Sequence, residues 1–170
     1  KLLGMIFVMK FQAAAMSRAS IAEDDRVDFS LYVDEFQNFS TDSFATILSE
    51  ARKYHLNLIV ANQFTTQLTD EIRDAVFGNI GTIISFRVGT NDAEFLAKYF
   101  APVFDINDLQ RVPNHNAIVR MLIGGVPSQS FSMATLPPLG TPNLQLSGAL
   151  KQLSSANYGR PRAQVESEIF

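Results

Sequence analysis

A short apolar segment that ends in two adjacent carboxylates is the feature that most constrains the fold of this chain. Phe29-Ser-Leu-Tyr-Val33 has four apolar or aromatic residues in five, and Asp34 and Glu35 follow it directly. Such a run predicts a strand that is buried on both faces, as in a parallel sheet. Because α/β folds bind ligands at the carboxyl edge of the sheet, the two acids are expected at a ligand site. A strand that simply ends in solvated charges is the alternative.

A helix and a second strand follow at the spacing of a βαβ unit. Residues 43–55 carry apolar side chains at intervals of three and four, which predicts a helix with one face on the sheet: Phe44, Ile47, Leu48 and Ala51. Residues 56–61 then form a second apolar run, which ends at Asn62 and Gln63. A strand, a helix and a strand with short connections form a right-handed unit with parallel strands. Gln63 is therefore expected beside Asp34 and Glu35.

Side chains of these types at one sheet edge are typical of nucleoside triphosphate hydrolysis. An aspartate at the end of such a strand can hold Mg²⁺, and the glutamate after it can orient or deprotonate the attacking water. A neighbouring glutamine can hydrogen-bond the γ-phosphate or that water. The segment that ends in Asp34 and Glu35 therefore has the arrangement of a Walker B strand.

Three motifs resemble the C-terminal half of the HerA/FtsK-type motor ATPases, and among these the TraG/TraD-like coupling proteins of type IV secretion and conjugation. They are Tyr-Val-Asp-Glu-Phe-Gln-Asn-Phe (32–39), Ser-Glu-Ala-Arg-Lys-Tyr (49–54) and Leu-Ile-Val-Ala-Asn-Gln (58–63). Segments 11–18 and 80–93 and the tail motif Tyr-Gly-Arg-Pro-Arg-Ala (158–163) resemble the same group. The resemblance extends over most of the chain.

The resemblance implies an α/β fold: a partial RecA-like P-loop NTPase core with a mainly parallel sheet, a C-terminal β-hairpin and a helical tail. It implies ATP and Mg²⁺ as cofactors, bound by Asp34 on the metal together with Glu35 and Gln63. Glu35 corresponds to the catalytic base and Gln63 to the γ-phosphate sensor. Arg52 matches the arginine finger that hexameric motors offer to the neighbouring subunit's nucleotide. A solvated arginine that assists the helix dipole is the alternative for Arg52.

The phosphate-binding loop G-x-x-x-x-G-K-[ST] is absent, since no Gly-Lys pair occurs in the chain. The resemblance places that Walker A loop upstream of the Walker B strand. We therefore expect these residues to be the C-terminal portion of a larger ATPase and to be inactive alone. A degenerate, non-hydrolysing relative is the alternative.

Composition restricts the other functions open to this chain. With a net charge of −3, the chain lacks the overall positive charge that is typical of nucleic-acid-binding proteins. Ring motors, however, bind DNA through a few basic residues in a pore. The absence of cysteine excludes disulfides and thiolate metal sites, and the two histidines lie sixty residues apart. The opening segment, residues 1–10, is apolar all round, and a core helix is predicted through about Met16. Its uncharged run of eight residues is short of the ~20 that span a bilayer.

The remaining segments divide the chain into residues 1–136, the C-terminal portion of the RecA-like core, and residues 137–170, a linker and helical tail. Residues 82–88 predict another strand, and Arg87 at its end is expected in a structural salt bridge rather than a sensor role. Residues 117–123 and 129–134 alternate in polarity and predict a hairpin around a Gly-Gly turn. Two helices are expected in the tail, at 144–156 and after Pro161.

Together these features predict the Walker B and sensor half of an ATP-driven, DNA-translocating motor. The expected assembly is a hexamer with DNA in its pore and with relaxase and secretion-channel components as partners. It would lie in the cytoplasm or at the cytoplasmic face of the inner membrane. A DExx-type helicase fragment is one alternative, although Ala61-Asn62-Gln63 replaces the Ser/Thr-Ala-Thr motif of helicases. A non-catalytic oligomerisation or docking module derived from a P-loop ATPase is the other.

Overall fold

A computed structural model describes residues 2–39, 42–138 and 140–169 of the chain. Two compact units, Lys1–Thr135 and Leu136–Phe170, are distinguished and are described separately. The elements of the larger unit are α1 (Leu2–Met16), β1 (Phe29–Val33), α2 (Asp42–Glu50), β2 (Leu56–Val60), α3 (Asp70–Asn79), β3 (Ile83–Ser85), α4 (Thr90–Phe100), α5 (Ile106–Gln110), β4 (Asn116–Arg120), β5 (Leu122–Ile123), β6 (Val126–Pro127) and β7 (Phe131–Ala134). The smaller unit contains α6 (Leu144–Tyr158) and α7 (Arg162–Ile169), which confirms the two predicted tail helices.

The predicted βαβ unit is present. Strands β1 and β2 are parallel, and Val33 lies opposite Val60 in their register. Helix α2 connects them but ends at Glu50, earlier than the predicted 43–55, and Ala51–Tyr54 continues as a 3₁₀ turn. Helix ends often tighten in this way to satisfy their last carbonyl groups. His55, with φ of 54°, then reverses the chain into β2.

The predicted mainly parallel sheet is wrong for the part of the chain described. Only β1 and β2 pair in parallel, whereas β3, β4 and β7 form an antiparallel sheet and β5 and β6 an antiparallel pair. Strand β3 is shorter than the predicted 82–88, and its partner is β4. An apolar run of this length is compatible with either strand direction, so the pattern alone does not choose the partner. The predicted C-terminal hairpin is confirmed, since β4 and β7 pair with Val119 opposite Phe131.

Strand β1 is buried on one face, not on both as predicted. Leu31 and Val33 point to the core, while Tyr32 on the opposite face is 74% exposed. Strand β2 repeats this pattern: Leu58 packs on the core and Ile59 is exposed. A tyrosine tolerates such a position because its hydroxyl remains hydrated.

Two hydrophobic cores lie within the larger unit. The first is built by α1, β1, α2, β2 and α3, and its buried members include Val33, Phe36, Phe44, Ile47, Leu56, Leu68, Ile72 and Val76. The second is built by α4, α5 and β4, with Ala93, Leu96, Phe100, Leu109, Val112 and Ile118. Phe77 of α3 packs against both cores. Its ring centroid lies 4.8 Å from that of Phe95 and 5.1 Å from that of Tyr99.

Helix α1 forms as predicted but is not a core helix. Val8 and Ala15 are its buried residues, and most of its large apolar side chains are exposed. A Cβ atom at Gly4 would lie 2.1 Å from Cε1 of Phe39, so glycine permits the close approach of α1 to the loop after β1. An apolar sequence on all sides of a helix predicts burial only if neighbours cover every side. The described residues cover a narrow stripe of α1.

Helix α1 and the 3₁₀ turn after it form one continuous stretch, Leu2–Ser20. By length and composition it is the one candidate for a membrane span in the part of the chain described. The expectation that this apolar segment is too short is therefore wrong as to length. Lys10 lies near its middle, where a lysine costs about 2.5–3.5 kcal/mol in a bilayer. That cost favours packing against protein.

Phe44 provides a test of the first core. Its side chain is fully buried, and its ring centroid lies 4.6 Å from that of Phe36. Phe44→Ala should lower the free energy of unfolding by about 3–5 kcal/mol, because it removes the buried ring and leaves a cavity. Urea denaturation measures this change. Phe86→Ala is the control, since Phe86 is 53% exposed, and it should cost far less. Equal losses for the two variants would contradict this core.

Candidate active site

Backbone hydrogen bonds extend the β1–β2 pairing beyond the strand ends and bring the polar segments together. The Ala61 N–H donates to the Val33 carbonyl at 2.9 Å, and the Phe36 N–H donates to the Ala61 carbonyl at 2.9 Å. Phe36 is fully buried and anchors the loop after β1. Asp34 and Glu35 are thereby held beside the segment that leads to Gln63.

Two glutamine amides hold the carboxylate of Glu35. Nε2 of Gln63 lies 2.8 Å from Oε1 of Glu35, and Nε2 of Gln37 lies 2.5 Å from Oε2. An ionised carboxylate only accepts hydrogen bonds, so both glutamines present their amino groups to it. The expected juxtaposition of Glu35 and Gln63 is present in the structure. The contribution of Gln37 was not anticipated, although this residue lies only two positions after Glu35.

The backbone of Glu35 adopts the left-handed conformation, with φ of 50° and ψ of 44°. Non-glycine residues seldom occupy this region, and those that do cluster at functional sites. The Glu35 N–H donates to Oδ1 of Asp34 at 2.8 Å, which stabilises the bend. A 3₁₀ turn, Phe36–Asn38, follows at once and brings Gln37 back to the carboxylate. The bend therefore places Glu35 between its two amide donors.

Asp34 offers a free carboxylate oxygen, which is a type of ligand that Mg²⁺ binds. Its side chain is exposed, and no described residue donates to Oδ2. Across residues 2–39, 42–138 and 140–169, no group of three His, Cys, Asp or Glu residues could enclose a metal ion. Mg²⁺ commonly binds through one or two carboxylates together with phosphate oxygens and water. Asp34 fits that mode, with phosphate and water as the other ligands.

Arg52 is not brought together with these residues. It lies in the 3₁₀ turn before β2, whereas Gln63 follows the end of β2. The four residue steps of β2 span about 13 Å, so Arg52 and Gln63 lie at opposite ends of this strand. The Arg52 side chain is exposed and makes no hydrogen bond or ion pair with the described residues. The structure therefore places Arg52 away from Asp34, Glu35 and Gln63 of its own chain.

Two arginines hold the turn that carries Arg52. Nη1 of Arg18 donates to the Tyr54 carbonyl at 3.0 Å and to the Val27 carbonyl at 2.9 Å. Arg26 donates to the Lys53 carbonyl. These contacts were not predicted from the sequence. Every residue carries a main-chain carbonyl, so the residue type does not indicate which carbonyl an arginine will bind.

Two further contacts concern the segments after Gln63. Asp92 at the start of α4 is 4% exposed, and its Oδ1 accepts the Thr65 N–H at 2.9 Å and the Thr65 hydroxyl. Arg87 donates to Oδ1 of Asn114 at 3.0 Å. The expected salt bridge of Arg87 is therefore wrong, since its partner is a neutral amide that a turn brings near.

The family comparison matches the segment that contains this site. Residues 28–104 match the family described as the TraM recognition site of TraD and TraG. The matched range begins just before β1 and ends after α4, so it includes Asp34, Glu35, Arg52 and Gln63. Over these residues, which make up less than half of the chain, the sequence is similar to TraD and TraG. No curated protein sequence matches it.

The solved structures that are similar to this chain include a conjugative coupling protein and a viral genome packaging NTPase. The plasmid coupling protein TrwB with ADP and Mg²⁺ superposes with a TM-score of 0.61 and 14% identity, over 76% of this chain and 36% of that one. Unbound TrwBΔN70, a bacterial conjugative coupling protein, gives 0.59 and 14% over 74% and 35%. The genome packaging NTPase B204 of Sulfolobus turreted icosahedral virus 2 with ATPγS gives 0.55 and 15% over 78% and 62%.

These likenesses establish the fold. The chain spans about a third of the length of the TrwB structures that it matches. The TrwB structures hold ADP with Mg²⁺ or a non-hydrolysable ATP analogue, and the B204 structure holds ATPγS. The ligands of these similar structures agree with the predicted cofactors, ATP and Mg²⁺.

Proposed function

We propose that this chain supplies the Walker B and sensor half of an ATP-hydrolysing motor that moves DNA in conjugation or type IV secretion. The observation that carries the proposal is the 2.8 Å hydrogen bond between Gln63 and Glu35 at the carboxyl edge of the parallel strands. A glutamate held by amide donors beside a carboxylate that can take Mg²⁺ suits the activation of water. The ATPase core comprises residues 1–136, and residues 137–170 form its linker and tail.

Each residue has a separate role in this proposal. Asp34 would hold Mg²⁺, directly or through a bound water, and Mg²⁺ would supply charge neutralisation at the phosphates. Glu35 accepts the proton of the attacking water, and the two amides fix the direction of its carboxylate. The Gln63 amino group has a second hydrogen available for the γ-phosphate, because only one is used by Glu35. Loss of that phosphate changes the position of Gln63.

Arg52 acts on the nucleotide of a neighbouring subunit in this proposal. Its exposed position at the far end of β2 supports this, because there it lies away from the carboxylates of its own chain. Guanidinium groups supplied across an interface stabilise the charge that develops on a transferred phosphoryl group. A ring of identical subunits, with six as the expected number, gives every site such a partner.

The proposed motor needs parts that residues 1–170 do not contain. A phosphate-binding loop supplied by another segment would cradle the triphosphate, and DNA would pass through the pore of the ring. Relaxase and secretion-channel components are the partners we propose for this motor. Its place would be the cytoplasm or the cytoplasmic face of the inner membrane.

Docking of a partner protein is a second candidate function. The family that matches residues 28–104 is described by TraM recognition, which favours a surface that binds a TraM-type protein. A purely docking role does not require a glutamate held in a left-handed bend by two glutamines. We therefore place catalysis first and docking second.

The isolated chain tests the proposal that the main nucleotide-binding contacts lie outside residues 1–170. Residues 1–170 alone should bind Mg-ATP poorly, because Asp34 and Glu35 repel the triphosphate where no lysine or backbone nest offsets their charge. Titration calorimetry measures the affinity. The matched control is the same chain with Asp34→Asn and Glu35→Gln, which removes the two repelling charges and should bind Mg-ATP no less tightly than the unaltered chain. Micromolar affinity in the unaltered chain would mean that the main nucleotide cradle lies within these residues.

A further inference from the structure

The buried contact between Thr65 and Asp92 joins the segment after Gln63 to helix α4. Oδ1 of Asp92 accepts two hydrogen bonds from Thr65, one from its N–H at 2.9 Å and one from its hydroxyl. Both residues are buried. Thr65 is two residues beyond Gln63, the proposed sensor, so the Cα atoms of these two residues lie at most ~7 Å apart.

The chemistry of this contact makes it a firm connection. A buried carboxylate needs hydrogen bonds to offset the loss of water, and Thr65 supplies both of the described donors to Asp92. Asp92 also lies in the first turn of α4, where the helix dipole favours a negative charge. Moving Thr65 away from α4 would leave a buried carboxylate without donors. The two segments are therefore expected to move together.

Helix α4 packs in a different core from β2, the strand that leads to Gln63. Its residues Ala93, Leu96 and Phe100 pack with α5 and β4, whereas the strand before Gln63 packs in the first core. The contacts of Phe77 with Phe95 and Tyr99 are apolar and permit sliding. The Thr65–Asp92 contact is directional, since its hydrogen bonds hold only over a narrow range of distances and angles.

We propose that Asp92 is a positioning residue that transmits movement of Gln63 to helix α4 and the antiparallel sheet through its two hydrogen bonds from Thr65. The inference rests on the proposed role of Gln63 as the phosphate sensor. It identifies the element that responds to the sensor: α4, with the second core behind it. The state of the bound nucleotide is thereby linked to α4 and the second core, which lie away from Asp34 and Glu35.

Hydrogen–deuterium exchange in the protein that also carries the phosphate loop tests this inference. Amide exchange is compared between ADP and a non-hydrolysable ATP analogue, in peptides that cover residues 61–68 and residues 90–100. In the unaltered protein, the analogue should slow exchange in both peptides. In Thr65→Val, which keeps the side-chain shape but removes the hydroxyl, residues 61–68 should still respond. The response of residues 90–100 should be reduced, because only the main-chain N–H bond to Asp92 remains.

Two threonine variants serve as controls. Thr66→Val alters the exposed neighbour in the same 3₁₀ turn and should keep both responses. Thr65→Ser retains the hydroxyl and should also keep both, which a general loss of packing at this position would not allow. If Thr65→Val does not fold, Asp92→Asn replaces it. That change keeps the size and one acceptor oxygen but removes the charge that makes these bonds about twice as strong.

The two peptides separate the possible failures. A full response of residues 90–100 in folded Thr65→Val or Asp92→Asn would overturn the transmission through Asp92 and leave the role of Gln63 intact. If residues 61–68 of the unaltered protein do not distinguish the two nucleotides, Gln63 is not the sensor, and the inference is overturned with it.

Discussion

Replacing Glu35 with glutamine should lower ATP turnover by a factor on the order of 10²–10⁴, the usual contribution of a general base. The amide keeps the size of the side chain and one acceptor oxygen, but it cannot take a proton from water. Binding of Mg-ATP should be retained, because Asp34 and the phosphate loop make the contacts to the nucleotide. Turnover and nucleotide affinity are measured separately in the protein that carries the phosphate loop.

Two further variants serve as controls for the effect of Glu35→Gln on turnover. Glu71→Gln makes the same chemical change on the exposed first turn of α3 and should leave turnover unaltered. Asp34→Asn should instead weaken the metal-dependent part of nucleotide binding. Hydrolysis at the normal rate by Glu35→Gln would show that the base lies elsewhere and that the Walker B assignment is wrong.

Arg52→Ala should abolish hydrolysis, with a loss of ~10³-fold or more, because an arginine finger stabilises the transition-state charge. Folding of the monomer and nucleotide affinity should remain nearly unchanged, since the side chain is exposed and makes no hydrogen bond or ion pair with the described residues. Lys53→Ala is the matched control. It removes the adjacent exposed cation, while the backbone carbonyl that accepts from Arg26 is kept.

Mixing the two inactive variants tests whether Arg52 acts across an interface. An Arg52→Ala subunit retains Glu35, and a Glu35→Gln subunit retains Arg52. At equal amounts, about one quarter of the head-to-tail interfaces should combine an intact residue of each kind. Activity should therefore reappear and follow the mixing ratio. No recovery at any ratio, together with activity that does not depend on protein concentration, would remove Arg52 as a finger in trans.

The position of the candidate site could be predicted from sequence because it depends on local patterns. The apolar runs before Asp34 and before Asn62, with the amphipathic helix between them, determine a parallel pair whose carboxyl ends meet. Glu35 and Gln63 are then neighbours by geometry. The hairpin of β4 and β7 and the tail helices follow from equally local periodicity.

Features that depend on particular partners could not be predicted in this way. The exposed face of Tyr32 and the antiparallel pairing of β3 depend on which elements lie alongside, and an apolar run is similar in either case. The contacts of Gln37 with Glu35 and of Thr65 with Asp92 are single pairings of common residue types. Arg87 was expected to find a carboxylate and instead meets Asn114, which a turn brings near.

The left-handed backbone of Glu35 lowers the stability of this domain, but it positions the carboxylate that the proposed activity requires. A residue with a Cβ atom in that conformation costs on the order of 1 kcal/mol, and glycine would adopt it without strain. Glu35→Gly would thus relieve the bend while removing the carboxylate on which the proposed chemistry depends. Variants selected only for thermal tolerance would accumulate such a replacement and become well-folded but inert proteins. Screening a library of this chain for heat resistance must therefore hold position 35 fixed.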